Sequence, residues 1–130
     1  MMFERNKSYK RSYISNVLGG GVQDYLPHAG GRVTYGAFAK DLNPDAPSIV
    51  LPGTGEEIER WAHAFYEQGE SVPVFLKKRS NEWVYMGEYR CIELSEDPDV
   101  IAPHAKKTGR DDITIVLRLE REHEVPATAF

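Results

Sequence analysis

The sequence predicts an α+β fold, a small twisted β-barrel with one packed main helix. Three observations predict it. Residues 72–78 and 82–94 read as long strands on either side of a short turn, Arg79-Ser80-Asn81. Residues 54–68 carry apolar side chains at helical spacing. Elsewhere glycines and prolines cut the chain into short segments that suit strands and bends.

The 130 residues make one domain, long enough to bury about two thirds of the unfolded surface. A 41% hydrophobic and 28% charged composition excludes wholesale disorder. The single cysteine, Cys91, excludes an internal disulfide framework and a four-cysteine zinc site. The longest apolar run, Val72–Leu76, is too short for a membrane span, and the N-terminus has no apolar signal core. A soluble, cytoplasmic chain without a membrane partner is expected. It divides into a basic N-terminal segment (1–12), the barrel domain (13–121) and a C-terminal tail (122–130).

Each element follows in order. Arg11–Asp24 centres on Gly19-Gly20-Gly21, which reads as a tight turn. It lacks the Gly-Lys-Ser/Thr ending of a phosphate loop. Arg32–Phe38 reads as a strand, and Asp41–Pro47, with two prolines, as a loop. Ser48–Leu51 is a short strand ended by Pro52-Gly53. Thr54 and Glu57 have the spacing of a capping box. Ile58, Trp61, Ala62 and Phe65 then form one helical face, with Trp61 read as core and His63 as exposed. Gly69 stops the helix. Gly87 marks a bulge in the second long strand. Asp97–Gly109 reads as a loop. Ile113–Glu120 reads as a final strand, with Ile113, Ile115, Leu117 and Leu119 on one face and a lone Val116 on the other.

Enzymatic signatures are sparse. The four histidines are far apart, and neither His-Glu-x-x-His nor Gly-x-Ser-x-Gly occurs. Cys91 falls mid-strand, where a thiol is buried and unreactive. Asp111-Asp112 is a paired carboxylate, but adjacent strand residues point opposite ways, and a turn is the simpler reading. No catalytic residue, metal ligand or cofactor is expected.

Binding signatures are richer. Net charge is −4 overall, yet residues 1–40 carry six basic residues against two acids, while residues 41–70 carry one against seven. Basic residues gather at Arg5–Arg11, Lys77-Lys78-Arg79 and Lys106–Arg110. Such clusters neutralise phosphates or serve as solvated surface. Trp83 and Tyr85 share a strand face beside the second cluster, and Tyr89 joins them unless the bulge shifts it. Aromatics beside basic residues stack bases and contact phosphates; on a central strand they equally build core.

Gly69-Glu70-Ser71-Val72-Pro73-Val74-Phe75, Trp83-Val84-Tyr85-Met86-Gly87-Glu88-Tyr89, the strand at 113–121 and the turn Pro52-Gly53-Thr54-Gly55 resemble segments of the SRA domain. The likeness spans roughly residues 16–121. It is similar, too, to PUA-like/SRA-like modules fused to HNH endonucleases. The resemblance implies a barrel that flips a modified cytosine out of DNA into a pocket. Two positions depart from the pattern. Met86 stands where the family has an acid, and Leu51 where it has a pocket aromatic.

Together these readings give a stand-alone nucleic-acid-binding module for a modified base, with DNA ahead of RNA as partner. A nuclease partner or fused domain is implied by the resemblance. Tyr35, Phe38 or Tyr85 would stack the base, and Asn43 and Asp45 would read its edge. Lys77, Lys78, Arg79, Lys10 and Arg11 would hold phosphates. Two alternatives remain: a small ASCH-type hydrolase acting on a nucleotide or RNA, and a protein-interaction domain without a small ligand.

Overall fold

A computed structural model of the chain describes residues 3–122. In chain order the elements are β1 (Ser8–Tyr9), α1 (Arg11–Leu18), β2 (His28–Ala29), β3 (Arg32–Val33), β4 (Gly36–Phe38) and β5 (Ile49–Val50), then α2 (Glu56–Gln68), β6 (Val72–Arg79), β7 (Glu82–Ser95), α3 (Pro98–Thr108) and β8 (Val116–Arg121). The main sheet runs β4-β6-β7-β8-β5, with β1 added alongside β7. Every pairing is antiparallel except that of β4 with β6. β2 and β3 form a separate hairpin. The fold is therefore mixed α+β with a mostly antiparallel sheet. Among the described residues β4 and β5, the ends of the sheet, are not paired with each other. Their side chains nevertheless meet in one core, where Phe38 and Val50 join Ala62 and Phe65 of α2. Burying one such phenyl ring contributes about 1.5–3 kcal/mol.

The β6–β7 hairpin organises the molecule. Ser80 and Asn81 make its turn, Asn81 with φ of 54°. Val74 pairs with Gly87 and Phe75 with Tyr85, so Met86 is the extra residue of a bulge. Gly87 has φ of 120°, and a Cβ there would come 3.3 Å from Arg121. The bulge reverses which face of β7 each side chain takes. Trp83 and Tyr85 pack with Phe75, Phe3, Ile14 and Tyr35 on one side of the sheet. Tyr89 and Cys91 pack with Val72 and Val74 on the other. Tyr89 thus does not share a face with Trp83 and Tyr85.

Several elements differ from the sequence reading. The single expected helix is joined by α1 and α3. The stretch read as a turn from Arg11 begins with eight helical residues, which bury Arg11 and Ile14. The stretch read as a loop at 97–109 is α3. Asp97 caps it by accepting a hydrogen bond from the Asp99 amide at 2.8 Å, Pro98 opens it, and Gly109 closes it in the left-handed region. Val116 is not alone, because it packs with Leu51, Ile113, Ile101 and Ala105 between β8 and α3. The strand expected at 32–38 breaks at Thr34-Tyr35, and the last strand starts at Val116 rather than Ile113. The capping box is absent. Gly55 is the N-cap of α2 without a side-chain bond, and Thr54 instead donates to the Asp112 carbonyl at 2.8 Å.

The basic N-terminal segment packs on the domain through buried Phe3 and the pairing of β1 with β7. Beyond Glu122 the expected tail lies outside the described residues. No helix among the described residues is long and apolar enough to cross a membrane.

Candidate functional site

A cavity of about 610 Å³ opens where four parts of the chain converge: the 23–28 segment, Leu42-Asn43, the Leu51–Gly53 turn, and the first two turns of α2. Arg110 and Asp112, between α3 and β8, close it. Its volume suits a small planar ligand.

Trp61 and His28 make one wall. Their rings stack with centroids 3.6 Å apart and planes 11° apart. The indole N–H of Trp61 donates to the Glu57 carboxylate at 3.3 Å, one turn earlier on α2. His28 is positioned by the β2–β3 hairpin, which is fastened to α2 through paired hydrogen bonds between Gln68 and the Val33 backbone. Tyr25 lies nearby and donates its hydroxyl to the Ile58 carbonyl at 2.6 Å. Burial raises the Tyr25 phenol far above its ordinary value, so it remains a donor.

Arg110, Asp112 and Asn43 make a polar part of the lining. Arg110 donates to both carboxylate oxygens of Asp112, at 2.8 and 3.2 Å, and to the carbonyls of Leu42 and Leu51. These bonds, with the guanidinium charge, hold the Asp112 carboxyl below its usual range. At Gly53 a Cβ would lie 2.9 Å from the Asp112 carboxylate, so a side chain there would displace that group. Asn43 is buried. Its side chain accepts from the Leu51 amide at 2.8 Å and donates to the Ala39 carbonyl at 3.0 Å, which fixes the loop beside the cavity. Asp24, exposed at the mouth, has no side-chain hydrogen bond or ion pair among the described residues. Three acidic residues, Asp24, Glu57 and Asp112, line the cavity; Arg110 binds Asp112, and Arg60 pairs with Glu57 at 3.0 Å. This lining disfavours a phosphate inside and offers acceptors to amino groups.

The chain matches the DUF6697 domain of unknown function over residues 8–99. The chain belongs to the DUF6697 family. The matched stretch of this DUF6697 chain includes the stacked wall and Asn43 but not Arg110 or Asp112. No protein of curated function matches it in sequence. Solved structures do resemble it in fold. The SUVH5 SRA domain in complex with hemimethylated CG DNA matches at a TM-score of 0.63 with 15% identity, covering 97% of this chain and 95% of that one. The same domain bound to fully hydroxymethylated CG DNA gives 0.60 at 15% identity, covering 96% and 93%. KRYPTONITE, in complex with mCHG DNA and SAH, gives 0.60 at 12% identity, covering 97% of this chain and 34% of that one. The DUF6697 chain therefore has an SRA-like fold.

Against that fold the sequence-derived residues separate. Asn43 lines the cavity. Tyr35, Phe38 and Tyr85 are buried in the two cores and are not among its lining residues. The Tyr35 hydroxyl is taken by Ser15 at 2.5 Å and Arg11 at 3.2 Å. Asp45 points to α3, where Lys107 bonds both its oxygens at 2.9 Å and lowers its carboxyl. Lys77 and Lys78 are exposed at the hairpin end, Arg79 pairs with Glu82 at 3.3 Å, and Lys10 is exposed at the start of α1. Arg11 departs from the expected phosphate set. It is buried, donates to the Gly21 and Asp24 carbonyls, and lies 4.8 Å from the Trp83 ring centre.

The sequence reading did not name Trp61, His28, Tyr25 or Asp24, which line this cavity. Trp61 fell on the apolar face of a helix, and nothing in its spacing separates a core indole from one at a cavity. The turn at Pro52-Gly53 and the pair Asp111-Asp112 were the usable signals, because both end at the cavity.

Proposed function

We propose that this chain is a binding module that takes one modified base of DNA into the 610 Å³ cavity. The observation that carries the reading is the lining itself. A stacked aromatic pair and three acidic residues line one cavity, which suits a flat ring bearing an amino group. The SRA-like fold supports it, since the similar structures are described as complexes with methylated or hydroxymethylated DNA. The base is extruded from the duplex, and its phosphates stay outside the acidic cavity.

In this reading Trp61, His28 and Tyr25 replace Tyr35, Phe38 and Tyr85 as the aromatic contacts. Asp24 replaces Asp45 as the acceptor for the base, and Asn43 keeps its place by shaping the wall. Lys10, Lys77, Lys78 and Arg79 contact phosphates, while Arg11 braces the 21–24 segment from inside. A nuclease acting with the module, and a cytoplasmic location, belong to the same proposal.

Titration of a duplex carrying one 5-methylcytosine, against the unmodified duplex, tests it. The wild-type chain binds the modified duplex more tightly. Asp24→Asn loses about 1–3 kcal/mol of that binding, the range for one base-edge contact, with an unchanged melting temperature. Equal affinity of the two proteins for the modified duplex would remove Asp24 from the site. Absence of binding to any DNA or RNA at low salt would remove the function.

A further inference from the structure

Between α1 and β2 the chain runs from Gly19 to Pro27 with neither helix nor strand, yet it brings Asp24 to the cavity mouth. Side chains hold its carbonyls. Nη2 of Arg11 donates to the Gly21 carbonyl at 3.2 Å and to the Asp24 carbonyl at 2.8 Å. One guanidinium thus ties both ends of a four-residue stretch. The Asp24 carboxylate folds back over Gly21, where a Cβ would lie 2.7 Å from its Oδ2. The place of the carboxylate therefore follows the backbone that Arg11 holds.

The guanidinium is fixed in turn by hydroxyls. Its Nε donates to the Tyr35 hydroxyl at 3.2 Å, and that oxygen lies 2.5 Å from the Ser15 hydroxyl. Both hydroxyls are also within hydrogen-bond distance of the Gly21 carbonyl, at 3.3 Å for Tyr35 and 3.4 Å for Ser15. Arg11 and Tyr35 are buried, where an unmade polar bond is costly and a planar guanidinium fork holds its acceptors in set directions. The core does not need the Tyr35 hydroxyl. Its ring meets Phe75 edge-on at 5.8 Å, a contact that a phenylalanine makes equally well.

We infer that the Tyr35 hydroxyl, with Ser15, sets the Arg11 guanidinium and through it the Asp24 carboxylate, so that Tyr35 is a positioning residue for the choice of base. This rests on the reading that Asp24 accepts from the base. Tyr35 lies outside the cavity lining and touches no base; it acts only through Arg11 and Asp24.

The test compares 5-methylcytosine with thymine at one position opposite guanine, because cytosine offers a donor at N4 where thymine offers an acceptor at O4. The cost of the mispair itself is common to all proteins and cancels between their ratios. The wild-type chain, Asp24→Asn, Tyr35→Phe, Ser15→Ala and the double variant Asp24→Asn/Tyr35→Phe are compared where each is folded. Asp24→Asn is expected to lower the preference for 5-methylcytosine about tenfold, and Tyr35→Phe about threefold. Ser15→Ala, which places the best helix former on α1, acts in the same direction and serves if the tyrosine variant does not fold. The double variant is no less selective than Asp24→Asn alone, since both changes act on one contact. The salt dependence of binding is the same for all. Unchanged preference in Tyr35→Phe and Ser15→Ala, with the preference lost in Asp24→Asn, overturns the inference and leaves the base reading intact. A further loss in the double variant also overturns it, because Tyr35 then acts by another route. If Asp24→Asn keeps the full preference, Asp24 does not read the base and the inference falls with that assignment. If the wild-type chain binds neither duplex, the base reading falls as well.

Discussion

Arg11 is a buried cation with no carboxylate in ion-pair reach among the described residues. Backbone carbonyls and the faces of Trp83 and Tyr35 replace a counter-ion, an arrangement suited to the weakly hydrated guanidinium. A cluster of basic residues in sequence cannot reveal that one member turns inward. Asp112 shows the reverse case, a residue whose charge was visible but whose partner was not. Arg110, two residues before it, lowers its carboxyl in the folded state through hydrogen bonds and then through charge. The folded chain therefore binds fewer protons there than the unfolded chain. The stability this gives is full above the unfolded value, about 3.9, and is lost as pH falls through the lower folded value. Unfolding midpoints in urea across that acid range check the point. Asp112→Asn should flatten the acid loss, and the slope that persists belongs to other lowered carboxyls such as Asp45. An unaltered acid profile would mean that the Arg110 pairing adds nothing in solution.

At the scale of elements, the long hairpin and α2 were legible because each repeats one signal many times. Strand alternation runs through β7, and Ala62 and Phe65 are buried at helical spacing. α1 and α3 lacked such repetition. α1 is eight residues long, starts at Lys10 without a side-chain cap, and contains Tyr13, Ile14 and Val17, which favour strands in isolation. Packing of Ile14 and Arg11 decides its conformation, and that is tertiary information. α3 contains Pro98 and Pro103, which read as breakers. Yet Asp97, Pro98 and Gly109 stand at the cap, first-turn and closing positions where those residue types are favoured. Asp97→Ala should cost about 1 kcal/mol, read as a lowered urea midpoint, since it removes the bond to the Asp99 amide. No change in midpoint would show that α3 is held by its packing on Leu51 and Val116 alone.

For the whole molecule, charge divides by location. The cavity is acidic, whereas the hairpin end carries Lys77, Lys78 and Arg79. If these three each neutralise a phosphate, they contribute about −2.7 to the slope of log K against log salt on duplex DNA. Replacing all three with alanine should make the slope shallower by about 2.7 and leave the contribution of Lys10, measured by anisotropy over a salt series. An unchanged slope would move the phosphate contacts away from the hairpin, with Lys10 the first candidate. The β6–β7 hairpin and the turn at 52–55 were within reach of the sequence, whereas the parallel pairing of β4 with β6 was not. The cavity was less so, because its walls come from five segments far apart in the chain.

Trp61 and Trp83 give the most direct measurement, since they are the two tryptophans of the chain and lie in different places. Trp61 lines the cavity against His28, and Trp83 is buried beneath Arg11 in the core on the other side of β7. Their indole N–H resonances are followed by NMR while DNA carrying 5-methylcytosine is added. A base in the cavity predicts a large movement of the Trp61 signal from the ring current of the entering base, larger than that of Trp83, which lies under Lys77 at the phosphate-binding hairpin. Binding that leaves the Trp61 signal in place, whether or not Trp83 moves, would contradict the account, because the cavity would then hold no base.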